Sequence, residues 1–255
     1  MSTAIGVGRI QAVSPRQKAR VAGFFYLLCA ITGAYAEMLV RGGLVVRDDA
    51  ATTAASILAH EQTFRLGLAA DIVAGVCYIV VTILLYELLK PVNQTVSLLA
   101  AAFSLTGCAV GAASGIFHLA PLLLLHGDQY LGPFSNAQLY ALSLALLSMH
   151  AQSYLIGLVF FGVYCLLIGS LILRSTFLPR VVGGLMALAG FCYLVNSFTR
   201  FISPAAASHL SFWVLLPCGI GELSLTFWLL IAGVNEERWF AQASSAPGAS
   251  VRDAA

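Results

Sequence analysis

The stretch YLIGLVFFGVYCLLIGSLIL, residues 154–173, holds twenty consecutive residues without a charged side chain. An α-helix rises about 1.5 Å per residue, so a helix of about twenty residues crosses the ~30 Å hydrocarbon core of a bilayer. The stretch therefore predicts a transmembrane α-helix.

Five further stretches have a similar length and apolar character. The six predicted spans are 20–41, 65–89, 95–120, 150–173, 181–201 and 210–234. Charged residues make up only 9% of the chain, against about 25% in soluble domains. The prediction is an all-α, polytopic membrane protein, with one six-helix domain over 16–238 and flexible cytoplasmic tails at 1–15 and 239–255.

Lysine and arginine residues predict the orientation, because they accumulate on the cytoplasmic side of a membrane protein. If the N-terminus is cytoplasmic, nine of the thirteen fall on that side: Arg9, Arg16, Lys18, Arg20, Lys90, Arg174, Arg180, Arg238 and Arg252. Both termini are therefore predicted to be cytoplasmic. The net charge of +2 is too small, and its residues too scattered, to indicate nucleic-acid binding.

Two of the predicted outer connections carry helix-start signals. Asp49 can cap a short helix over Ala50 to Ala59, because its carboxylate accepts the free amides of the first turn. Ser135 can act in the same way on the segment that ends near Met149. That segment is too short to span alone, so it forms either an interfacial helix or an outward extension of the fourth span.

The first span has two incompatible interpretations. In AITGAYAEMLVR, residues 30–41, Ala34-Tyr35-Ala36 is a small-x-small pattern typical of signal-peptide cleavage. Alternatively the helix continues through Met38 to Val40, and Glu37 is an acidic residue retained inside the membrane.

Nine polar residues lie within or at the ends of the predicted spans. Each charged residue at mid-helix costs about 2.5–3.5 kcal/mol on insertion scales, so these side chains must face one another or water. Most of them, with all five histidines, belong to the predicted outer half, which indicates an outward-facing polar cavity. The nine are Glu37, Arg41, Arg65, Asp71, His118, His150, Asn196, Arg200 and Glu222.

Glu222 differs from the others in its depth. It falls near the middle of the sixth span, shortly after Pro217, where a kink or local unwinding is expected because proline lacks an amide proton. Transporters place carboxylates at such mid-membrane segments.

Three functional hypotheses follow from these residues. In the first, the cavity binds a small molecule, a lipid or a divalent metal, with His118, His150 and carboxylates such as Glu37 or Asp71 suiting zinc or iron. In the second, the protein carries a small solute or ion and uses Glu222. In the third, the charges are structural ion pairs, Glu37 with Arg41 and Asp71 with Arg65 or Arg200. The sequence leaves catalysis and oligomeric state open.

Several motifs together resemble a known family. They are AEMLVRGGLVV, DDAATTAASILAHEQTFRLGLAADI, LLYELLKPVN, GLVFFGVYCLLIGSLI, LPRVVGGLMALAGFCYLVNSF and GELSLTFWLLIAGVN. They resemble the bacterial and archaeal integral membrane proteins of "domain of unknown function 4386" over about Arg20 to Asn235.

The resemblance implies a membrane protein without an assigned reaction and a retained first helix, and it supplies no substrate. The predicted location is a bacterial or archaeal inner membrane. It places six polar residues on motif positions: Glu37, Arg41, Arg65, Asp71, His150 and Glu222. Tyr164 departs from the pattern, because many members are expected to have histidine there, and this weakens any metal site that needs a ligand at that position.

Overall fold

The structure is a computed structural model that describes residues 13–127 and 131–245, without the side chains of Pro204 and residues 206–212. Six of its helices are long and apolar enough to cross a membrane, which confirms the predicted all-α, multi-pass class. They are α1 (Pro15–Leu44), α3 (Glu61–Leu89), α4 (Gln94–Leu125), α5 (Asn136–Arg174), α6 (Arg180–Ile202) and α7 (Pro204–Ile231). Two short helices are α2 (Ala50–Ala59) and α8 (Glu236–Ser244).

The six spans form a closed ring. Each packs against the next in chain order, from α3 through α4, α5 and α6 to α7, and α1 packs against both α3 and α7. We call the end where α1 begins the near end, and the opposite end the far end. Because the number of spans is even, α8 returns to the near end, where the Trp239 Nε1 donates a hydrogen bond to the Leu88 carbonyl oxygen at 2.9 Å.

Small residues let α5 and α6 approach closely. A methyl group built on Gly190 would lie 2.5 Å from the Gly162 carbonyl oxygen, and one on Gly169 would lie 2.6 Å from the Ala187 amide nitrogen. Both distances are below any normal contact, so backbone packs on backbone along this seam. The seam holds α6 against the longest helix of the bundle.

The buried apolar side chains form two clusters. The larger one fills the near half of the ring with residues from all six spans, among them Tyr26, Val81, Cys108, Ile168, Met186 and Leu225. The smaller one lies in the far half, where α2 packs over the bundle, and comprises Val40, Leu44, Ile57, Phe64, Leu122 and Leu147. The polar residues described below lie next to this smaller cluster.

Seven residues of α1, Tyr35–Arg41, adopt a π-helix. The amide of Gly42 continues this pattern by bonding to the carbonyl of Glu37, five residues earlier. The helix thus runs without interruption through Ala34-Tyr35-Ala36. Short π-helical segments concentrate at functional sites, and this one carries both Glu37 and Arg41.

The two predicted helix starts are confirmed. The Asp49 carboxylate accepts the Thr52 amide at 2.9 Å, and its bonds with the hydroxyl and amide of Thr52 lower the pKa of Asp49. The Ser135 hydroxyl caps α5, which runs unbroken from Asn136 to Arg174. The segment before Met149 is therefore an extension of the fourth span.

The structure differs from two other expectations. A kink or local unwinding was expected near Pro217; α7 is helical without a break from Pro204 to Ile231, so local unwinding does not occur there. Where a tail was expected from residue 239, the chain is helical through Ser244. The parts of the expected tails at 1–12 and 246–255, with Arg9 and Arg252, lie outside the described residues.

Candidate functional site

Arg41 lies at the centre of the polar residues in the far half. Its Nε is 2.8 Å from the Glu37 Oε2, and its Nη1 and Nη2 are 2.5 and 3.1 Å from the two oxygens of Asp71. The Glu37 pair was predicted, and it is confirmed. Asp71, however, pairs with Arg41 across two helices, not with Arg65 or Arg200 as predicted from the sequence, because α1 brings Arg41 directly opposite it.

His118 lies fully buried beside this ion pair. Its Nε2 is 3.0 Å from the Phe64 carbonyl oxygen, and the Phe64 ring stacks on the imidazole at 4.1 Å. A carbonyl oxygen only accepts hydrogen bonds, so Nε2 carries the proton. The lone pair of the neutral ring is therefore on Nδ1, which lies 3.4 Å from the Arg41 Nη1.

His150 repeats this arrangement with its two nitrogens exchanged. The Nδ1 of this buried ring is 2.9 Å from the Ser114 carbonyl oxygen, so Nδ1 donates and Nε2 carries the lone pair. That Nε2 is buried and has no hydrogen-bond partner among the described residues. A buried polar atom without a partner is costly, and the lone pair of this nitrogen is available to accept a hydrogen bond or to coordinate an ion.

The two histidines and Asp71 converge. One ligand atom from each of Asp71, His118 and His150 lies within 4.8 Å of the other two, and the two imidazole rings are 5.6 Å apart. Each ring is oriented by an N–H bond to a backbone carbonyl, as is usual for histidines that bind metals. Three spans, α3, α4 and α5, thus supply a donor set of two imidazoles and one carboxylate.

A cavity of about 240 Å³ lies beside His118, between α3 and α4. Apolar side chains form most of its wall, and Arg65 is at its edge. Arg65 pairs with Glu61 at 2.7 Å, so this arginine, predicted as a partner of Asp71, lines an approach to the His118 ring instead. Arg200 lies near the far end of α6, two positions before Ile202.

Glu222 forms a separate polar cluster deeper in the bundle. It is the central residue of the apolar part of α7, Trp213–Ile231. The Cys165 Sγ is 3.8 Å from its Oε1, and the side chains of Tyr26 and Tyr193 lie beside its carboxylate. The buried Tyr164 hydroxyl, in the same region, has no hydrogen-bond partner among the described residues.

Tyr154 of α5 lies between the two polar clusters. Its hydroxyl is within electrostatic range of Glu37 and Asp71 on one side and of Glu222 on the other. Its side chain is half-exposed. Tyr154 is therefore a polar side chain close to both clusters.

Several contributors to these sites could not be identified from the sequence. The carbonyl groups of Phe64 and Ser114 have no sequence signal, since every residue has a carbonyl. A cysteine within an apolar span gives no sequence signal for a contact with a carboxylate, yet Cys165 contacts Glu222. His118 had the clearest signal, because it shares a helix face with Gly115, where an added methyl would lie 3.1 Å from the Leu68 side chain of α3.

A ring of six apolar helices with buried, converging polar groups defines a multi-pass membrane protein with a candidate ligand site inside the bundle. The chain belongs to the family described as "Domain of unknown function (DUF4386)", whose model matches residues 21–233. This confirms the resemblance drawn from the motifs.

A more distant relative is an archaeal protein described as "Uncharacterized protein", from Archaeoglobus fulgidus. It is 23% identical over 155 residues, which is 61% of this chain and 76% of the relative. No solved structure matches the chain.

Proposed function

We propose that this protein binds a divalent metal ion in the far half of the bundle, through Asp71, His118 and His150. The observation that carries the proposal is the unpartnered, buried Nε2 of His150, which shares a site with the lone pair of His118 and a carboxylate. A neutral imidazole nitrogen whose lone pair accepts no hydrogen bond is available to coordinate a metal ion.

Two imidazoles and one carboxylate suit zinc or iron(II), with further coordination positions left for water or a ligand. Bonds of about 2.0–2.2 Å around one ion place ligand atoms roughly 3.4 Å apart. The three donors now lie within 4.8 Å of one another, so their separations must close by up to roughly 1.4 Å. They lie on three different spans, so small shifts of these helices or of the three side chains would close the site.

The proposed site faces the outer side of a bacterial or archaeal inner membrane, with both termini cytoplasmic. The lysine and arginine distribution supports this orientation. The Glu37 side chain, 55% exposed at the far half of α1, supports access from that side.

The test is the metal content of the protein purified in mild detergent, measured by native mass and by elemental analysis after incubation with Zn²⁺ or Fe²⁺. Wild type is expected to hold one ion per chain, and His150→Ala to lose it while remaining folded. His126→Ala is the matched control, because His126 is an exposed histidine at the far end of α4. Equal metal content in wild type and His150→Ala would refute the site.

A second candidate function is a carrier that moves a small ion across the membrane, supported by one specific observation. Glu222 places a carboxylate at the centre of a span, next to Cys165 and two tyrosines. Such carboxylates bind coupling ions in transporters. Uptake of Zn²⁺ into proteoliposomes with a proton gradient should then be abolished by Glu222→Gln and unchanged by Glu237→Gln, which alters an exposed residue of α8. If neither wild type nor Glu237→Gln takes up Zn²⁺, the carrier function is refuted.

A further inference from the structure

The Arg41 guanidinium overlaps the position that the metal ion would occupy. Its Nη groups bind both oxygens of Asp71, and its Nη1 faces the Nδ1 of His118. Asp71 and His118 are two of the three ligands that the proposed ion needs. The guanidinium therefore occupies part of the ion's position, and binding of the ion requires the Arg41 Nη groups to give up Asp71.

The displaced guanidinium cannot simply move into water. The Arg41 side chain is only 11% exposed, and its Nε remains bound to Glu37 at 2.8 Å. Glu37 thus keeps Arg41 beside the site, with the two Nη groups deprived of their acceptors. Buried charged donors without acceptors are strongly unfavourable, so a new acceptor must take the place of Asp71.

We propose that the metal-loaded site takes a ligand with an oxyanion group, a carboxylate or a phosphate, held between the ion and the Arg41 fork. One oxygen coordinates the ion at a position that the three protein ligands leave open, and the planar Nη pair binds the oxyanion in the bidentate manner typical of arginine. This inference rests on the proposed function, since it needs the ion to be bound.

The charges at the site favour this class of ligand. A divalent ion added to Arg41, Glu37 and Asp71 brings the local charge to about +1, with the histidines neutral. A single carboxylate restores neutrality inside the low-dielectric bundle. A neutral ligand would leave the excess charge uncompensated.

The experiment uses the full-length protein loaded with Co²⁺, whose visible spectrum reports changes in coordination. Acetate and inorganic phosphate are the soluble probes, and micelles that contain phosphatidic acid are the lipid probe. In wild type, at least one of the three is expected to bind and change the Co²⁺ spectrum. A response to phosphatidic acid alone assigns the oxyanion to a lipid headgroup, and a response to a soluble probe assigns it to a solute; either supports the proposal.

Two substitutions of Arg41 make the test specific. Arg41→Gln removes a competing cation, so Co²⁺ is expected to bind more tightly without an anion, while anion affinity falls about tenfold to a hundredfold. Arg41→Lys keeps the charge but loses the planar pair of Nη groups, so its anion affinity should lie between those of wild type and Arg41→Gln.

The outcomes separate this inference from the proposed function. If wild type binds no metal, the proposed function fails, and the inference fails with it. If wild type binds Co²⁺ but its anion response is absent, or is the same in both Arg41 variants, only the inference is overturned. Tighter metal binding together with weaker anion binding in Arg41→Gln supports both.

Discussion

Arg41 shares one positive charge between two carboxylates, and the two pairs differ in their surroundings. The oxygens of Asp71 lie mostly out of solvent, with 28% of the side chain exposed, whereas Glu37 is 55% exposed. Interactions between charges strengthen as water is excluded. The Asp71 pair is therefore the one on which the folded state depends.

Removal of one partner of this pair should destabilise the metal-free protein. Asp71→Asn and Arg41→Gln are each expected to lower the free energy of unfolding by on the order of 3 kcal/mol. Arg41→Gln leaves the Asp71 carboxylate without its cation, and Asp71→Asn leaves the Nη groups of Arg41 without their charged acceptor. The double variant should cost less than the sum. The measurement is unfolding in detergent, followed by circular dichroism with a chelator present.

Arg65→Gln is the matched control for this prediction. Arg65 also forms an ion pair with a carboxylate, that of Glu61, but the Arg65 side chain is 46% exposed. Exposed pairs contribute about 0–1 kcal/mol, so this variant should be nearly neutral. If Asp71→Asn is as mild as Arg65→Gln, the Arg41 charges are not structurally important and the ion-pair hypothesis loses its support.

At the residue scale, the sequence predicted contacts within a helix better than contacts between helices. The Glu37–Arg41 pair followed from a spacing of four residues, which helix geometry fixes. The partner of Asp71 depended on how α1 is rotated against α3, and the π-helical stretch before Arg41 changes that rotation. No spacing rule for a regular α-helix includes this change.

At the scale of single elements, the apolar pattern located every span but not the helix ends. The first span was predicted over 20–41, yet α1 begins at Pro15, because Ser14 and Gln17 form a capping box and polar residues extend the helix beyond its apolar part. For the same reason α5 begins at Asn136. Hydropathy reports the part of a helix that lies in lipid, whereas caps determine where the helix begins.

The close backbone contact between α5 and α6 can be tested by substituting glycines of α6. Gly190→Ala should destabilise the protein by about 1–3 kcal/mol, the usual cost of overpacking, because its methyl would lie 2.5 Å from the Gly162 carbonyl oxygen. Gly184→Ala is the control on the same helix, since an added methyl there meets nothing within 4 Å. This control should be neutral or slightly stabilising, because alanine favours helix more than glycine.

Detergent unfolding of both glycine variants, measured side by side, checks the prediction. A Gly190→Ala protein as stable as Gly184→Ala would mean that α5 and α6 are not in backbone contact. The position of His150, which α5 carries, would then also need revision.

At the scale of the whole molecule, the order of the helices follows the chain except where α1 closes the ring against α7. Short connections explain why consecutive spans are neighbours. The closing contact comes from small residues that no local pattern distinguishes: a methyl on Gly23 would lie 2.4 Å from the Leu230 amide nitrogen. This closure makes the interior of the ring, with Glu222 in it, a buried environment.

The orientation of the whole bundle determines from which side the proposed metal site is loaded. Two single-cysteine additions, Ala55→Cys in α2 and Glu237→Cys in α8, place reactive thiols at exposed positions of opposite ends. If the termini are cytoplasmic, a membrane-impermeant maleimide should label Ala55→Cys in intact spheroplasts, and Glu237→Cys only after lysis. Wild type is the blank, because its six cysteines lie within the spans and four of them are buried. The reverse labelling would place Asp71, His118 and His150 in the cytoplasmic half, so the ion would have to come from inside the cell.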